Sequence, residues 1–385
     1  MAEWSKAIDS SSIGQMNKEQ VEKEFRIKSP IWTPIIAETV SHLIGLPFLA
    51  ILYWTKGSSW FHLYYATILG YYIVCSILLS HFFPAVNHPN IHGFFRHIVA
   101  AMSGAQLYFF HEELFIRWFH IDSAYLQEAH FLWIVFGFFF AGFDDSFFLG
   151  YLTKWMKLDW VRALFWIIIV WIFWLILFYS PLLCNGKAKL DIVRFENVIG
   201  VMQWVIMAKL TTNLHLKDWY NSIKWRHVLI RAFVSLSIAV ISGIFFAYLW
   251  YGISRGIWRD ASKAEIWHSV ITAGTAPLAP IILVGLYTTN YSGKFKKGKL
   301  ALVRVLTIIV GTLLCYFFYN GVISQMNVMG DRKLSWLKKD ILNYNFTVHN
   351  LQLTHFWFNR RVFFVKEVTK EKVDWSDLEN TPKKD

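Results

Sequence analysis

Apolar side chains in this chain of 385 residues are gathered into long runs that short polar segments separate. A helix needs about 20 mostly apolar residues to cross the roughly 30 Å hydrocarbon layer of a membrane. Transmembrane strands use shorter segments of alternating character, so runs of this length predict helices. The six runs that are long enough are 33–54, 60–83, 130–152, 160–184, 227–252 and 301–325.

Three further segments are weaker candidates for crossing a membrane. Residues 98–116 become polar toward their end, and residues 192–212 form an amphipathic pattern with charged side chains. Residues 265–289 are interrupted at 272–280 by a glycine and two prolines, which break or kink helices. We therefore predict an all-α protein, a polytopic transmembrane helix bundle of about eight spans, within a range of six to nine.

Composition divides the chain into three parts. Residues 1–32 form a short polar N-terminal head, residues 33–326 hold every predicted span, and residues 327–385 form a small, basic, extramembrane C-terminal tail. Apolar and polar residues alternate locally between Leu351 and Trp357. This alternation is typical of a β-hairpin resting on the membrane surface, and a partly ordered extension is the alternative.

The overall composition agrees with an integral, multi-pass membrane protein. The chain is 55% hydrophobic and 17% charged, and its mean hydropathy is +0.37, whereas soluble domains carry roughly 25% charged residues. The net charge of +12 lies mainly in short loops such as Lys294–Lys299, as the positive-inside rule predicts. This distribution indicates membrane lipids as the partners of the positive charge, and it disfavours nucleic acid.

Histidines are concentrated in the first part of the chain. Nine of the fourteen lie within residues 38–145, which also contain several acidic residues. An ionisable side chain at membrane depth costs several kcal/mol unless it is paired or faces a wet cavity. Glu38 and His42 share one helix face because they are four residues apart. The concentration predicts a common polar pocket.

His88 and His92 have the HxxxH spacing, and His97 follows five residues later. Imidazoles one helical turn apart can bind the same metal ion, and Glu112 or Asp145 would complete the coordination. The sequence therefore predicts His88, His92 and His97 as metal ligands, with iron, zinc and copper as candidate ions. The alternative is that these histidines lie at the membrane interface and bond to lipid headgroups.

Acidic residues supply the candidate catalytic groups. Glu112, Glu113, Asp144 and Asp145 are predicted to act as acid, base or further metal ligands. Arg117 lies one turn after Glu113 and would keep its carboxylate ionised, which leaves Glu112 free to act as a base.

The pattern Glu112-Glu113-xxx-Arg117 resembles the first motif, EExxxR, of the CAAX-protease and bacteriocin-processing family. In that family the glutamates activate water for the hydrolysis of peptides within the membrane, so the resemblance implies such an activity here. The second motif of the family, FxxxH, does not follow downstream.

The small residues at 101–105 allow two interpretations. Ser103 with the following glycine approximates a rhomboid-like serine site, for which His268 would be the base. Small side chains at this spacing more simply predict a close contact between two helices.

The leading hypothesis is a membrane-embedded metal-dependent enzyme that acts on a lipid or another apolar substrate. One alternative is a proton- or ion-coupled transporter or channel, in which the broken helix at 272–280 frees backbone groups to bind an ion. Hydroxyl groups of Thr272 and Thr275 would otherwise satisfy those groups. Another alternative is a non-catalytic subunit that associates with partner membrane subunits through its aromatic faces.

Overall fold

The computed structural model describes residues 32–60, 64–82, 89–141, 159–185, 189–216, 219, 228–287, 297–326 and 333–359. These residues are almost entirely helical, as the sequence predicts. The longer helices are α1 (Trp32–Trp60), α2 (Ala66–Phe82), α3 (Pro89–Glu113), α4 (Leu126–Ala141), α5 (Asp159–Phe178), α6 (Ile192–His215), α7 (Val228–Ile257), α8 (Lys263–Ala273), α9 (Leu278–Tyr287), α10 (Lys297–Gly321) and α11 (Asp340–Asn359).

Short elements connect some of these helices. A π-helical turn (Leu114–Trp118) continues α3, and 3-10 turns occur at Ser123–Tyr125, Ile323–Gln325 and Trp336–Lys338. Two-residue strands, β1 (Cys184–Asn185) and β2 (Lys189–Leu190), pair antiparallel immediately before α6. Asp191 then caps α6, because its side chain accepts hydrogen bonds from the backbone N–H groups of Val193 and Arg194.

Three helical segments of the described chain are long and apolar enough to cross a membrane. They are Phe233–Ile257, Lys263–Val284 and Gly298–Gln325. The first and third present large apolar side chains outward: Phe233 is 71% exposed and Phe317 is 67% exposed. Such surfaces suit contact with lipid tails rather than with water, and they fit a membrane protein.

The second of these segments is the central element of the fold. It consists of α8 and α9, is almost entirely buried, and packs against α6, α7, α10 and α11. Its first turn is fixed by a capping box in which Ser262 and Glu265 bond to each other's backbone N–H groups. The helix breaks between Ala273 and Leu278, at the position that the glycine and proline residues predict.

The described residues form two apolar cores, and α11 contributes to both. One is formed mainly by α2 to α6 and α9 around the buried side chains of Trp133 and Trp174. The other is formed mainly by α1, α7, α8, α10 and α11 around Trp250 and Tyr344. Because α11 also contacts α2 and α3, it joins the two halves of the bundle.

Helix α11 corrects the prediction of a β-hairpin that begins at Leu351: the first predicted strand is helical as far as Asn359, and the remainder of the predicted hairpin lies outside the described residues. The buried side chains of α11 recur at intervals of three and four residues, at Ile341, Tyr344, Asn345, Val348 and His349. This is the period of a helix face. The division at residue 327 into bundle and tail remains a prediction, although α11 packs on the helices of the bundle.

Gly104 confirms the predicted close helix contact at 101–105. A Cβ atom at this position would lie 2.8 Å from the backbone nitrogen of Tyr72, so α3 and α2 touch through their backbones. We expect Gly104→Ala to lower the stability by about 1–3 kcal/mol, since the helices must separate. The measurement is the thermal unfolding temperature in detergent.

Gly252 provides the control for this prediction. A Cβ atom there would meet nothing within 4 Å, and alanine favours a helix over glycine by up to about 1 kcal/mol. Gly252→Ala should therefore be neutral or slightly stabilising. Equal unfolding temperatures for the two variants would contradict the close contact at Gly104.

Candidate functional site

A buried ionic cluster joins three parts of the chain; we define it as Glu196, His268 and Lys339. Oε1 of Glu196 lies 2.7 Å from Nζ of Lys339 and 2.6 Å from Nε2 of His268. The Glu196 side chain is only 1% exposed. Nδ1 of His268 donates a hydrogen bond to the carbonyl oxygen of Leu337 at 3.1 Å, which leaves its Nε2 facing Glu196.

The backbone of Lys339 is left-handed, with φ 58° and ψ 13°. A residue other than glycine pays about 1–2 kcal/mol for this conformation. The turn lies between the 3-10 turn and α11, and it directs the ammonium group toward Glu196 and within 5.3 Å of the centroid of the Phe131 ring. Strain of this kind is common at functional sites.

A cavity of about 340 Å³ opens beside the ionic cluster, between α2, α4, α6 and α11. Most of its wall is apolar, and its polar groups include those of Glu128, Gln203, His268 and Lys339. The apolar lining includes Ile73, Ile134, Val135, Phe138, Ile206 and Phe346. The volume is in the range of small-molecule binding sites, and the lining suits a molecule with one polar end.

Two polar atoms of the cavity residues are buried without a hydrogen-bond partner among the residues that the structure describes. They are Oε2 of Glu128 and Nε2 of Gln203. Burial raises the pKa of Glu128, and Lys339 opposes this effect only in part. Buried polar groups are rarely left unpaired, so the cavity is suited to a ligand group that both donates and accepts hydrogen bonds.

A second polar group, which we define as the histidine–glutamate triad, consists of Glu38, His42 and His349. Oε1 of Glu38 lies 3.2 Å from Nε2 of His42 and 2.7 Å from Nε2 of His349. The predicted pairing of Glu38 with His42 on one face of α1 is therefore confirmed. His349 is contributed by α11 and is fully buried.

A third group is enclosed by aromatic rings in the first core. The Tyr71 hydroxyl lies 2.7 Å from Nδ1 of His111 and 2.8 Å from Nδ1 of His130. The ring of Tyr108 stacks on His130, and that of Trp133 lies against His111. These hydrogen bonds link α2, α3 and α4 to one another. Because buried hydrogen-bond networks of this kind make a core rigid, we interpret the group as structural.

The predicted glutamates and arginine lie together near the end of α3. Arg117 Nε is 2.6 Å from Oε1 of Glu113, and the two side chains are 74% and 53% exposed. Glu112 is hydrogen-bonded to Tyr108. An exposed ion pair contributes about 0–1 kcal/mol, so this pair marks the surface of α3, and catalysis by these residues remains a prediction.

The remaining predicted site residues have no described side chain. His88, Asp144 and Asp145 lie outside the described residues, and His92 and His97 belong to α3 with only their backbone described. Metal binding by the three histidines and catalysis by the two aspartates remain predictions.

The break between α8 and α9 is satisfied from within the protein. The Thr275 hydroxyl donates to the carbonyl oxygen of Thr272 at 2.7 Å. Nδ2 of Asn345 donates to the carbonyl oxygen and the hydroxyl of Thr275, both at 2.9 Å. These contacts favour the kinked structural helix over an ion site at the break.

Sequence reasoning missed the residues that α11 and the turn before it contribute. Lys339, Tyr344, Asn345 and His349 fell within the predicted tail, where no site was expected. Their helical spacing was the available signal, but their polarity concealed it. Each of these side chains contacts a partner that lies 70 or more positions away along the chain. Such partners come together only when the fold forms.

Comparison of the chain with protein-family models, with curated proteins and with solved structures found no match. The described residues are almost entirely helical and include three segments able to cross a membrane, which is consistent with a membrane protein.

Proposed function

We propose that this chain is a membrane-embedded enzyme that acts on an amphipathic, lipid-like substrate held in the 340 Å³ cavity. The observation that carries the proposal is an apolar cavity with unpaired, buried polar atoms of Glu128 and Gln203 in its wall. The apolar wall would hold the chain of the substrate, and these two side chains would hold its head.

The chemistry of the cavity favours a hydroxyl group on the substrate head. A hydroxyl can donate to the Glu128 carboxylate and accept from the Gln203 amide at the same time. The charge of Glu196 is already balanced by the Lys339 ammonium group. An uncharged head therefore suits the site better than an anion or a cation, and a monoacylglycerol or a long-chain alcohol has the required form.

Glu128 is the residue that we assign as the general base. Burial raises the pKa of its carboxyl group, which makes the ionised form a stronger base. Glu128 would take a proton from a water molecule as the water oxygen attacks the ester carbonyl carbon of a monoacylglycerol; the acyl–oxygen bond then breaks, and glycerol leaves with that proton. The ammonium group of Lys339 would stabilise the negative charge that develops on the carbonyl oxygen.

The multi-pass arrangement belongs to the same proposal. Besides the three segments that can cross a membrane, the described residues include shorter apolar helices at Ala66–Cys75 and Leu164–Phe178. Together with the apolar runs of the sequence, they support a bundle of about eight spans that admits a substrate from the surrounding lipid.

Glu128→Gln tests the proposal in the purified full-length chain. Monoacylglycerol should raise the unfolding temperature of the wild type, and its turnover, followed by mass spectrometry of the lipid, should fall about 10²–10⁴-fold in the variant. Wild-type turnover should rise with pH as Glu128 loses its proton. The exposed Asp260 in a turn outside the cavity gives the control, since Asp260→Asn should change neither result.

The same experiment separates the alternatives. Absence of stabilisation by any hydroxyl-bearing amphiphile would contradict the proposed binding. If the chain binds monoacylglycerol but does not convert it, the result would contradict an enzymatic function and favour transport. If the amphiphile has no effect on the unfolding temperature and the chain is stable only together with another protein, the result would favour a non-catalytic subunit.

A further inference from the structure

The histidine–glutamate triad lies where α1 meets α11 and shares no residue with the cavity. Its three potential ligand atoms, one carboxylate oxygen and two imidazole nitrogens, all lie within 4.8 Å of one another. The side chains of His42 and Glu38 are only 15% and 22% exposed, and that of His349 is fully buried. The triad is therefore a compact polar group inside the fold.

Each imidazole of the triad is held in its orientation by a hydrogen bond at Nδ1, the ring nitrogen that does not contact Glu38. Nδ1 of His349 donates to the backbone carbonyl oxygen of Asn345 at 2.8 Å, and Nδ1 of His42 is hydrogen-bonded to the Tyr344 hydroxyl. Histidines that bind metals typically make such a bond with the nitrogen that does not face the ion. The arrangement leaves both Nε2 atoms facing Glu38.

The contact between His349 and Glu38 requires a positive centre. A carbonyl oxygen only accepts hydrogen bonds, so Nδ1 of His349 carries a proton, and a neutral ring would then present a lone pair at Nε2. That lone pair would repel Oε1 of Glu38 at 2.7 Å. Either an additional proton or a metal ion between these atoms removes the repulsion.

The distances fit a metal ion after a small adjustment. Zinc binds imidazole nitrogen and carboxylate oxygen at about 2.0–2.2 Å, which places neighbouring ligand atoms of a tetrahedral site about 3.4 Å apart. The separation of 3.2 Å between His42 and Glu38 is close to this value. The separation of 2.7 Å to His349 would have to widen, which rotation of the Glu38 side chain can supply.

We propose that Glu38, His42 and His349 bind one divalent first-row transition metal ion. Two imidazoles and one carboxylate are the ligands of catalytic zinc sites and of non-haem iron(II) sites. Three protein ligands leave at least one coordination position for water or a substrate group. This site differs from the predicted site at His88, His92 and His97, and it does not depend on the amphiphile cavity.

Aromatic rings enclose the proposed site. The ring of His42 stacks against Tyr344 at a centroid distance of 5.6 Å and meets the edge of Phe318 at 5.7 Å. Apolar surroundings limit the access of water and strengthen the attraction between the ion and the carboxylate.

Metal analysis of the purified full-length chain tests the inference. After chelation and dialysis, we expect the wild type to take up one Zn²⁺ or Fe²⁺ per chain, and mass spectrometry of the elements in the protein as isolated will distinguish the two. Loss of a residue that only hydrogen-bonds to a metal ligand weakens metal binding about 10–100-fold. Glu38→Gln and His42→Asn each remove a ligand itself, so each should weaken metal uptake by more than this. The exposed His120 supplies the control His120→Asn, which should bind like the wild type.

A second measurement keeps the inference testable if a variant folds poorly. Cobalt(II) added to the wild type should give the visible absorption of a four- or five-coordinate ion, and His42→Cys should add a charge-transfer band from the new thiolate ligand. Wild-type protein that binds none of these ions would overturn the inference. So would uptake that persists in Glu38→Gln but disappears in a variant that lacks His88 and His92.

The two proposals fail independently. Glu38→Gln should leave stabilisation by monoacylglycerol unchanged, because Glu38 does not line the cavity. Glu128→Gln should likewise leave metal uptake unchanged.

Discussion

Asn345→Leu is expected to lower the stability of the protein by about 2–4 kcal/mol, because three buried hydrogen bonds are lost. The Asn345 side chain donates two hydrogen bonds to Thr275, each at 2.9 Å, and accepts one from the Tyr319 hydroxyl at 2.7 Å. Leucine has a similar volume but no polar atoms. The buried Tyr319 hydroxyl would lose the acceptor that it uses here, and the break between α8 and α9 would lose its link to α11.

Thermal unfolding in detergent measures this effect, and Asn197 provides the control. Asn197 is half-buried on α6, and among the described residues its side chain makes one long hydrogen bond of 3.5 Å, to Tyr248. Asn197→Leu should therefore change the stability by no more than about 0.5 kcal/mol. If the two leucine variants unfold at the same temperature, Asn345 does not hold the broken helix.

Lys339→Met is expected to destabilise the protein by about 3–5 kcal/mol at neutral pH, since it leaves the Glu196 carboxylate buried without its cation. Glu196 is 1% exposed and would keep only the contact with His268. Methionine retains the length of the lysine side chain, so the lost charge is the main change. The variant should also turn over monoacylglycerol more slowly than the wild type, because Lys339 is assigned to stabilise the negative charge that develops in the reaction.

The double variant Lys339→Met/Glu196→Gln separates the lost charge pair from lost packing. Removing both charges should recover most of the stability, because the penalty comes mainly from the unpaired carboxylate. If the double variant is as unstable as Lys339→Met, the lost stability does not come from the unpaired Glu196 carboxylate. The need for lysine would then come from the strained turn at residue 339 and not from the ion pair.

The helical class of the fold was predictable because apolar runs of about 20 residues have few other solutions. The break in the central helix and the close contact at Gly104 were also visible, since glycine and proline act locally on the backbone. Helix α11 was not visible as part of the bundle. Its polar residues make the segment less apolar than a typical membrane span. These residues are buried against partners that lie far away in the sequence, so a local pattern cannot reveal their burial.

The candidate site was only partly predictable for the same reason. Glu38 and His42 are neighbours on one helix, but His349 lies 311 positions after Glu38. The histidines that crowd the first part of the sequence do not form one pocket among the described residues: His42 faces α11, whereas His111 and His130 meet at Tyr71. Nearness along the chain is therefore a poor guide to nearness in this fold.

The position of α11 in the chain has a consequence for biogenesis. The ribosome makes α1 to α10 before it reaches residue 339, so Glu196 and Thr275 stay without the partners that Lys339 and Asn345 supply until that part of the chain has been made. A premature stop codon before residue 339 would yield a product in which these polar groups never receive those partners. A chain with such an incomplete interior is a natural target for cellular quality control.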